Sequence, residues 1–392
     1  MFRPQIQVGR EGWFYLFLVA VVLGVALIKG VNLLLILAGL LLGPVVLSWL
    51  SVRSNLRGLR LTRKLPSHVC AGDTLSVGVQ LSNSRPRLGC WEVVVEEQIR
   101  RLGNGRPSQP PLTPSVFFPY IRAGQRAKAT YRGRLLERGS YQFGPLRVST
   151  RFPFGLLART MLVENPQTCV VLPRLGRLTR AWQARRREAC AGADRRGGSP
   201  GPEGDFYGVR QWQHGDRMRL IHWRGSARLD RLVVRQFERP RNRDLALLLD
   251  LWQPQPAEDQ HRQNVELAVS FAATVLTDLS RKGAGNVWLV LEQEEPRCLG
   301  GPLSANLLQN LLEQLANVEA QSRDCLAALL ACALPRITAG VEIVLVSTRA
   351  VDPSDAWRRA SASLDPLARE QVGRIRCVDT SSEELWKFFA AE

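Results

Sequence analysis

The sequence has few of the residues from which disulfide frameworks, metal sites and nucleotide-binding loops are built. Eight Cys occur in 392 residues, and none stand in a Cys-x-x-Cys pair, so we expect neither a disulfide framework nor a zinc site. The four His, at positions 68, 214, 222 and 261, are scattered. No Gly-x-x-x-x-Gly-Lys-Ser/Thr string occurs, which excludes a P-loop ATPase, and no nucleophile elbow surrounds His222. These absences favour a non-enzymatic protein without a cofactor or metal.

Lysine is also scarce. Only five of the 53 basic residues are Lys, and 35 acidic residues leave a formal net charge of +18. This charge makes nucleic-acid binding an alternative function, provided that the Arg residues cluster on one exposed face. The densest Arg cluster is interleaved with Trp, Gly and Asp, which favours internal pairing, so we expect no nucleic acid among the partners. Hydrophobic residues make up 45% of the chain and charged residues 22%, which is typical of globular proteins and excludes wholesale disorder. The length predicts two or three domains.

Two long uncharged runs lie near the N-terminus. Gly12–Ile28 has 17 residues and Val31–Leu50 has 20, and helices of these lengths cover about 26 Å and about 30 Å, close to the thickness of a bilayer core. Trp13 and Trp49 lie near the ends of the runs, where interfacial aromatic residues belong. We therefore predict a transmembrane hairpin within residues 1–58, with helices at about 12–28 and 31–50, and a lipid bilayer as a partner.

Basic residues are distributed unevenly around these runs. Arg3 and Arg10 precede the first run and Lys29 alone separates the two. A basic cluster follows the second run: Arg53, Arg57, Arg60, Arg63 and Lys64. The positive-inside rule predicts that both termini and the soluble domains are cytoplasmic, and anionic lipid headgroups account for the basic cluster. The alternatives are a cleaved signal peptide and a buried soluble hairpin, but the second run and the lack of a polar face disfavour them.

The segment 59–173 has the two-residue period of β-strands. Apolar residues alternate with small or polar ones in Leu75–Leu81 and Trp91–Glu96, and turn signals separate such runs, which predicts a β-sandwich-like domain. A mixed sheet packed on the next domain is the alternative. The strings Arg138–Pro145 and Phe152–Leu156 are interpreted as turns with core aromatic residues.

The C-terminal segment 244–392 alternates buried strands with amphipathic helices, which predicts an α/β domain with a parallel sheet. The predicted strands are Leu245–Leu251, Val287–Leu291, Val341–Val346 and Ile375–Val378. The predicted helices are Asn264–Leu279, a helix from Ser304 to Leu315, Cys325–Leu334, and Ser381–Phe389 with Ser381 as its N-cap.

An Arg-rich connector, residues 174–243, joins the two regions and holds 18 Arg, no Lys and seven acidic residues. Its second half is dense in Gly, Asp, Trp and Arg. The candidate site residues all lie there: Asp205, Gly215, Asp216, Arg219, Ile221, His222, Trp223, Arg224, Ser226, Ala227, Arg228, Phe237 and Glu238.

This connector carries a resemblance to a known bacterial family. From Gly215 to Arg228 the string is Gly-Asp-x-x-Arg-x-Ile-His-Trp-Arg-x-Ser-Ala-Arg, and Phe237-Glu238 follow. It resembles the signature of the family called "domain of unknown function 58", as do the order of the segments and the Phe152–Leu156 string. The resemblance implies a multi-pass inner-membrane protein with a von Willebrand factor type A-like C-terminal domain. It also implies a MoxR-type AAA+ ATPase and a transglutaminase-like membrane protein as partners in envelope-related assembly.

Three interpretations of the signature remain open. Arg219, Arg224 and Arg228 could pair with acidic residues (Asp205, Asp216 and Asp230), which would make the signature an internal lock between the β-region and the α/β domain. It could instead be a docking surface for a partner protein. The third interpretation is a catalytic site of a hydrolase that acts on envelope precursors.

The implied type A fold often binds a divalent metal through Asp-x-Ser-x-Ser after its first strand. Here the string is Asp250-Leu251-Trp252-Gln253-Pro254, in which Trp252 and Pro254 replace both hydroxyls. Ser347, Thr348 and Asp352 could add oxygens, but the set is thin for a hard cation. We expect no metal, and a structural Asp250 that accepts hydrogen bonds from backbone N–H groups of the following turn.

Overall fold

The computed structural model of the chain describes residues 5–103, 110–186, 201–237, 244–283, 285–291, 296–337, 341–360 and 371–391. The chain divides into two compact units, Met1–Leu172 and Pro173–Glu392. The first unit contains the apolar runs and the β-region, and the second contains the connector and the α/β region.

Two long helices begin the first unit, as the sequence predicts. Helix α1 is Arg10–Lys29 and helix α2 is Asn32–Asn55, and both are long and apolar enough to cross a membrane. Gly30 joins them in the left-handed conformation, with a φ of 65°, which Gly adopts without steric cost. Most apolar side chains of both helices are exposed, which argues against the buried soluble hairpin, because a core helix would be covered by protein.

Two β-sheets complete the first unit. Its strands are β1 (Gln5–Val8), β2 (Leu59–Lys64), β3 (Val69–Cys70), β4 (Thr74–Asn83), β5 (Cys90–Leu102), β6 (Ser115–Ile121), β7 (Arg126–Arg134), β8 (Gly139–Thr150), β9 (Leu157–Val163) and β10 (Gln167–Leu172). The smaller sheet has the order β2-β4-β7, and the larger one is built around β8, which pairs with β5, β9 and β10. Apolar side chains of both sheets, among them Val79 and Leu81 of β4 and Val93 and Val95 of β5, share one core.

A buried ion pair joins the two sheets. The Arg63 guanidinium, on β2, bonds the Glu97 carboxylate, on β5, and these side chains are 0% and 1% exposed. Tyr131 donates its hydroxyl to Glu97 Oε2 (2.5 Å), and Arg63 also donates to Gln167 Oε1 (3.1 Å). Burial and then the Glu97 carboxylate raise the pKa of Tyr131 far above its ordinary value. Assigning Arg63 to the lipid-facing basic cluster was therefore wrong, because this side chain is buried in protein.

Both ends of the helical hairpin attach to one end of the sandwich. The Asn55 amide, at the end of α2, donates to Trp91 O (2.6 Å) and Thr150 Oγ1 (2.8 Å) and accepts from Trp91 N (2.9 Å). At the start of α1, Gly9 N donates to Leu156 O (3.0 Å). Hydrogen bonds thus hold the helices and the sandwich together and fix the position of the sandwich along the helix axes.

We expect Gly12→Ala to weaken this attachment. A Cβ at Gly12 would lie 2.1 Å from Leu156 O, a backbone atom that cannot move aside, so overpacking should cost about 1–3 kcal/mol. Gly24 of the same helix is the control, because its added Cβ would meet nothing within 4 Å. Hydrogen exchange should show a less protected Gly9 amide in Gly12→Ala and an unchanged one in Gly24→Ala. Equal protection in the two variants would contradict the contact.

The second unit contains a five-stranded sheet covered by helices. The strands of this unit, five of which form that sheet, are β11 (Arg177–Leu178), β12 (Gly201–Gln211), β13 (Val233–Phe237), β14 (Leu245–Asp250), β15 (Asn286–Leu291), β16 (Arg297–Pro302), β17 (Glu342–Ser347), β18 (Arg376–Asp379) and β19 (Phe389–Ala390). Its helices are α3, which includes residues 180–186, α4 (Trp223–Leu229), α5 (Asp259–Arg281), α6 (Ala305–Asn317), α7 (Leu326–Ala333), α8 (Pro353–Ala360) and α9 (Glu384–Phe388).

The order of the main sheet is β16-β15-β14-β17-β18. Strands β14, β15, β17 and β18 are parallel, as expected, but β16 is antiparallel to β15. The prediction of a purely parallel sheet is therefore wrong at this edge. Strands β14 and β17, the first and fourth strands of this sheet in chain order, are neighbours. The chain leads from β14 to β15 on one side and from β17 to β18 on the other. This makes their carboxyl ends the topological switch point, where open α/β sheets bind ligands.

The closing helix differs from its prediction in one respect. It begins at Glu384 without a side-chain cap, and the Ser381 hydroxyl instead donates to Asp379 Oδ1 (2.7 Å). Ser381 is therefore part of the turn after β18 rather than the N-cap.

Candidate interaction site

The signature lies in a β-hairpin with an elaborated tip. Strands β12 and β13 pair antiparallel, with Gly208 opposite Gln236 and Gln211 opposite Val233. For residues 201–207 and 236–237 the structure describes the backbone alone, which places Asp205 in β12 and Phe237 in β13. Glu238 lies outside the described residues.

Asp216 holds the turn after β12. Arg210 donates from both terminal nitrogens to the two oxygens of the Asp216 carboxylate (2.7 and 2.5 Å), and Gln213 N donates to Oδ2 (2.8 Å). Gly215 has a φ of 106°, which Gly adopts far more readily than other residues. The bonds from Arg210, and then the one from Gln213, lower the pKa of Asp216. The clamp is therefore complete at neutral pH and is lost as acid protonates the carboxylate.

The next residues join the tip to strand β13. Ile221 is buried and forms a bridge to Val234, and His222 N donates to Val233 O (2.9 Å). The buried Ser226 hydroxyl accepts from Val233 N (2.9 Å). His222 caps helix α4, since its Nδ1 accepts from Gly225 N (2.8 Å), as cap residues of helices do.

Five further signature side chains point to solvent. Helix α4 exposes Trp223, which is 67% exposed, together with Arg224, Ala227 and Arg228. Trp223 and Ala227, like Arg224 and Arg228, are four residues apart and are neighbours on the helix surface. Arg219, in the short 3-10 turn Met218–Leu220, is exposed as well. We call Arg219, Trp223, Arg224, Ala227 and Arg228 the signature face.

Sequence reasoning missed the residue that holds Asp216. The partner is Arg210, whereas Arg219, Arg224 and Arg228 form no ion pair with an acidic side chain in the part of the chain that the structure describes. Asp230 ends α4 in the left-handed conformation, with a φ of 48°. The only available signal was the six-residue spacing of Arg210 and Asp216 around the Gly215 turn.

A second cluster lies at the topological switch point. Asp250, at the end of β14, is fully buried, and its Oδ2 accepts from the Ser347 hydroxyl (2.8 Å) at the end of β17. The expected backbone donors are thus replaced by a side-chain hydroxyl. Arg349 Nε lies 3.5 Å from Asp250 Oδ2, and an Arg349 terminal nitrogen donates to Asp324 Oδ1 (2.6 Å).

The Arg349 guanidinium supplies the positive charge beside Asp250. It also stacks over the Trp252 ring, with Cζ 5.0 Å from the ring centroid. Burial lowers the pKa of Arg349, but the carboxylates of Asp250 and Asp324 outweigh burial and raise it overall. Trp252 therefore helps to position the Arg349 guanidinium beside Asp250.

This arrangement predicts that divalent metals do not bind at Asp250. Isothermal titration of Mg²⁺ or Mn²⁺ into the full chain in detergent is expected to show no saturable heat at millimolar concentration, because a metal must displace Arg349 to reach the carboxylate. An Arg349→Ala variant serves as the comparison. A saturable signal in the unmodified chain that Asp250→Ala abolishes would contradict the prediction.

Comparisons with known proteins match the second unit most clearly. The family model described as "Protein of unknown function DUF58" matches residues 208–388, which span the signature face and the main sheet. "Uncharacterized protein YeaD" from Bacillus subtilis is 26% identical over 234 residues, or 59% of this chain, and the chain spans about half the length of that relative, 55%.

Solved structures resemble smaller parts of the chain. A superoxide reductase (neelaredoxin) from Ignicoccus hospitalis is 17% identical over 28% of this chain and 79% of its own, with a TM-score of 0.20. A β-glucosidase from Listeria innocua is 14% identical over 29% of this chain and 16% of its own, with a TM-score of 0.19. At these TM-scores the likeness carries no argument about function.

Proposed function

We propose that the chain is a membrane-anchored, non-enzymatic adaptor that presents the signature face to a partner protein in the cytoplasm. The observation that carries the proposal is the division of the signature between a satisfied scaffold and an exposed face. Asp216, His222 and Ser226 are engaged inside the hairpin, while the signature face points outward.

The same division supports a non-enzymatic role. A hydrolase would need a free nucleophile and a base to activate it. Ser226 is buried and bonded to the backbone of Val233, and His222 Nδ1 is used as a helix cap. Both groups thus serve the fold.

The chemistry of the signature face indicates the kind of partner. An exposed Trp flanked by Arg is the composition of binding hot spots, which Trp, Tyr and Arg dominate. Arg219, Arg224 and Arg228 add three positive charges, so a complementary acidic surface should bind there. A MoxR-type AAA+ ATPase, acting with a transglutaminase-like membrane protein in envelope-related assembly, is the partner that the family resemblance suggests.

We also propose a von Willebrand factor type A-like fold for the α/β region. Its support is the placement of Asp250 and Ser347 side by side at the switch point of the sheet, together with the antiparallel edge strand β16. In this chain Arg349 would take the place of the metal ion.

Affinity capture tests the adaptor proposal. The full chain, solubilised from bacterial membranes, is the bait, and captured proteins are identified by mass spectrometry. We expect a MoxR-type ATPase to be enriched over a bait that carries Trp223→Ala. Recovery of the ATPase by neither bait would overturn the proposal.

The proposed orientation has its own test. The basic residues around α1 and α2 should keep both termini in the cytoplasm of a bacterial inner membrane. Alkaline phosphatase, which folds only outside the cytoplasm, should be inactive when fused after Glu392 and active when inserted at Gly30. An active C-terminal fusion would show that the C-terminus lies outside the cytoplasm and would contradict the proposed orientation.

A further inference from the structure

Exposed aromatic side chains surround the end of the sandwich that holds both transmembrane helix ends. Trp91 is 45% exposed, Tyr120 41% and Phe154 51%. Trp91 packs on Tyr120, with ring centroids 4.2 Å apart, and stacks on Phe152 at 5.5 Å. We call these four residues the aromatic rim. The sequence interpretation of the Phe152–Leu156 string as core aromatic residues is wrong for Phe154, which protrudes into solvent.

Strand directions place the rim at the helix end of the sandwich. Strand β2 begins at Leu59, just after α2, and Leu59 lies opposite Asn83 of β4. Strand β7 begins at this end with Arg126, which lies opposite Ser82 of β4. It reaches the other end of the sandwich at Arg134, opposite Thr74, eight residues or about 27 Å further along. Trp91 and Tyr120 face each other in the register of β5 and β6 at the helix end.

Hydrogen bonds fix the rim at the depth of the bilayer interface. Trp91 bonds Asn55 through both its backbone groups, and Asn55 lies six residues, or about 9 Å, beyond Trp49 on α2. Leu156 O accepts from Gly9 N and packs against Gly12, next to the interfacial Trp13. The headgroup layer is about 5–7 Å thick on each side of the hydrocarbon core. Gly9 lies three residues, or about 4.5 Å, before Gly12, where the first uncharged run begins, so the attachment of the Phe152–Leu156 loop lies within this layer. The attachment of Trp91 to Asn55 lies at the outer edge of the layer.

The surroundings of the rim match lipid headgroups. Exposed Arg57, Arg87, Arg122 and Arg151 lie in the loops at this end, and Glu92 is an exposed acid among them. Trp and Tyr concentrate at membrane interfaces because one part of the ring is apolar and another can bond water. Positive charge near the surface adds attraction to anionic lipids.

From this geometry we propose that the aromatic rim inserts into the interface of the same bilayer that α1 and α2 span, so that the sandwich is seated on the membrane. The proposal rests on the membrane anchoring proposed above and adds a second contact to it. The occupant of this apolar surface is the lipid interface, and the continuity of the rim with both helix ends decides between lipid and a protein partner.

Photolabelling by lipid tests the rim directly. The full chain is placed in phosphatidylethanolamine–phosphatidylglycerol vesicles that contain a phosphatidylcholine with a diazirine near the start of one acyl chain. Trypsin then releases residues 152–159, which include Phe154, and residues 135–138 as a matched control. The control contains Leu136, which is 79% exposed at the opposite end of the sandwich. We expect about tenfold more lipid adduct on 152–159, because acyl-chain probes reach only groups within the bilayer.

The peptides of α1 and α2 separate the two proposals. If the helices are labelled but residues 152–159 carry no more lipid adduct than residues 135–138, the rim proposal is overturned and the anchoring stays intact. Unlabelled helices would overturn both. Phe154→Asp should reduce the labelling of 152–159 several-fold with the helices unchanged, while Leu136→Asp should not. Unchanged labelling in Phe154→Asp would contradict the insertion of this side chain.

Discussion

Glu97→Ala is expected to destabilise the sandwich by about 3–5 kcal/mol, the usual cost of leaving one member of a buried ion pair without its partner. The substitution strands the Arg63 guanidinium, which is fully buried, and removes the acceptor of the Tyr131 hydroxyl. Arg63 would keep its neutral acceptors, Gln167 Oε1 and Asn165 O, but its charge would lose the only carboxylate that it bonds among the described residues. Amides of β4, β5 and β8 in the full chain should then exchange with solvent about 10²–10⁴-fold faster, because global opening sets their protection.

The control for this variant is an exposed ion pair in the same unit. Arg101 bonds Glu137, with side chains 37% and 48% exposed, and exposed pairs contribute about 0–1 kcal/mol. Glu137→Ala should therefore change exchange in the same strands little. Similar exchange in the two variants would show that the Arg63–Glu97 pair does not join the sheets.

Trp223→Ala combined with Arg224→Glu and Arg228→Glu is expected to weaken partner binding at least about 30-fold, since removal of one hot-spot residue alone costs about 2 kcal/mol or more. Reversed charges add repulsion from an acidic partner surface. In the part of the chain that the structure describes, none of the three side chains bonds to the hairpin scaffold, which Asp216, His222 and Ser226 hold together, so the melting temperature should stay unchanged. Affinity of the full chain for a purified MoxR-type ATPase is the measurement.

A matched Trp in the same unit provides the control. Trp386 on α9 is 52% exposed, and Trp386→Ala should leave the affinity unchanged. A lowered melting temperature in the triple variant, with affinity lost in proportion, would favour the internal lock over a docking surface.

The elements that sequence predicted well are those with strong periodicity. The uncharged runs gave α1 and α2, and the continuous apolar runs gave β14, β15 and β17, because burial on both faces leaves few polar positions. Strand β16, Arg-Cys-Leu-Gly-Gly-Pro, was missed because an edge strand with two Gly and a Pro has no such pattern. Strand β1 was missed because Gln5–Val8 has only four residues.

The candidate site was harder to predict, because the same residue types serve opposite environments. Phe154 and Trp91 have the composition of a core but lie exposed beside helix ends. Arg63 belongs to a basic cluster by sequence, yet it alone of that cluster has its charge neutralised inside the sandwich. The signature string located the hairpin, but its division into scaffold and face follows from hydrogen bonds between residues such as Arg210 and Asp216 that no spacing rule specifies.

Photocrosslinking from position 223 tests the central claim most directly. A benzoylphenylalanine that replaces Trp223 in the full chain is irradiated in living cells, and the adduct is identified by mass spectrometry. We expect an adduct with a subunit of a MoxR-type ATPase, because Trp223 is the large apolar side chain of the signature face and is 67% exposed. An adduct that joins position 223 to residues of the Met1–Leu172 unit would instead show that the signature locks the chain internally, and it would contradict the adaptor function.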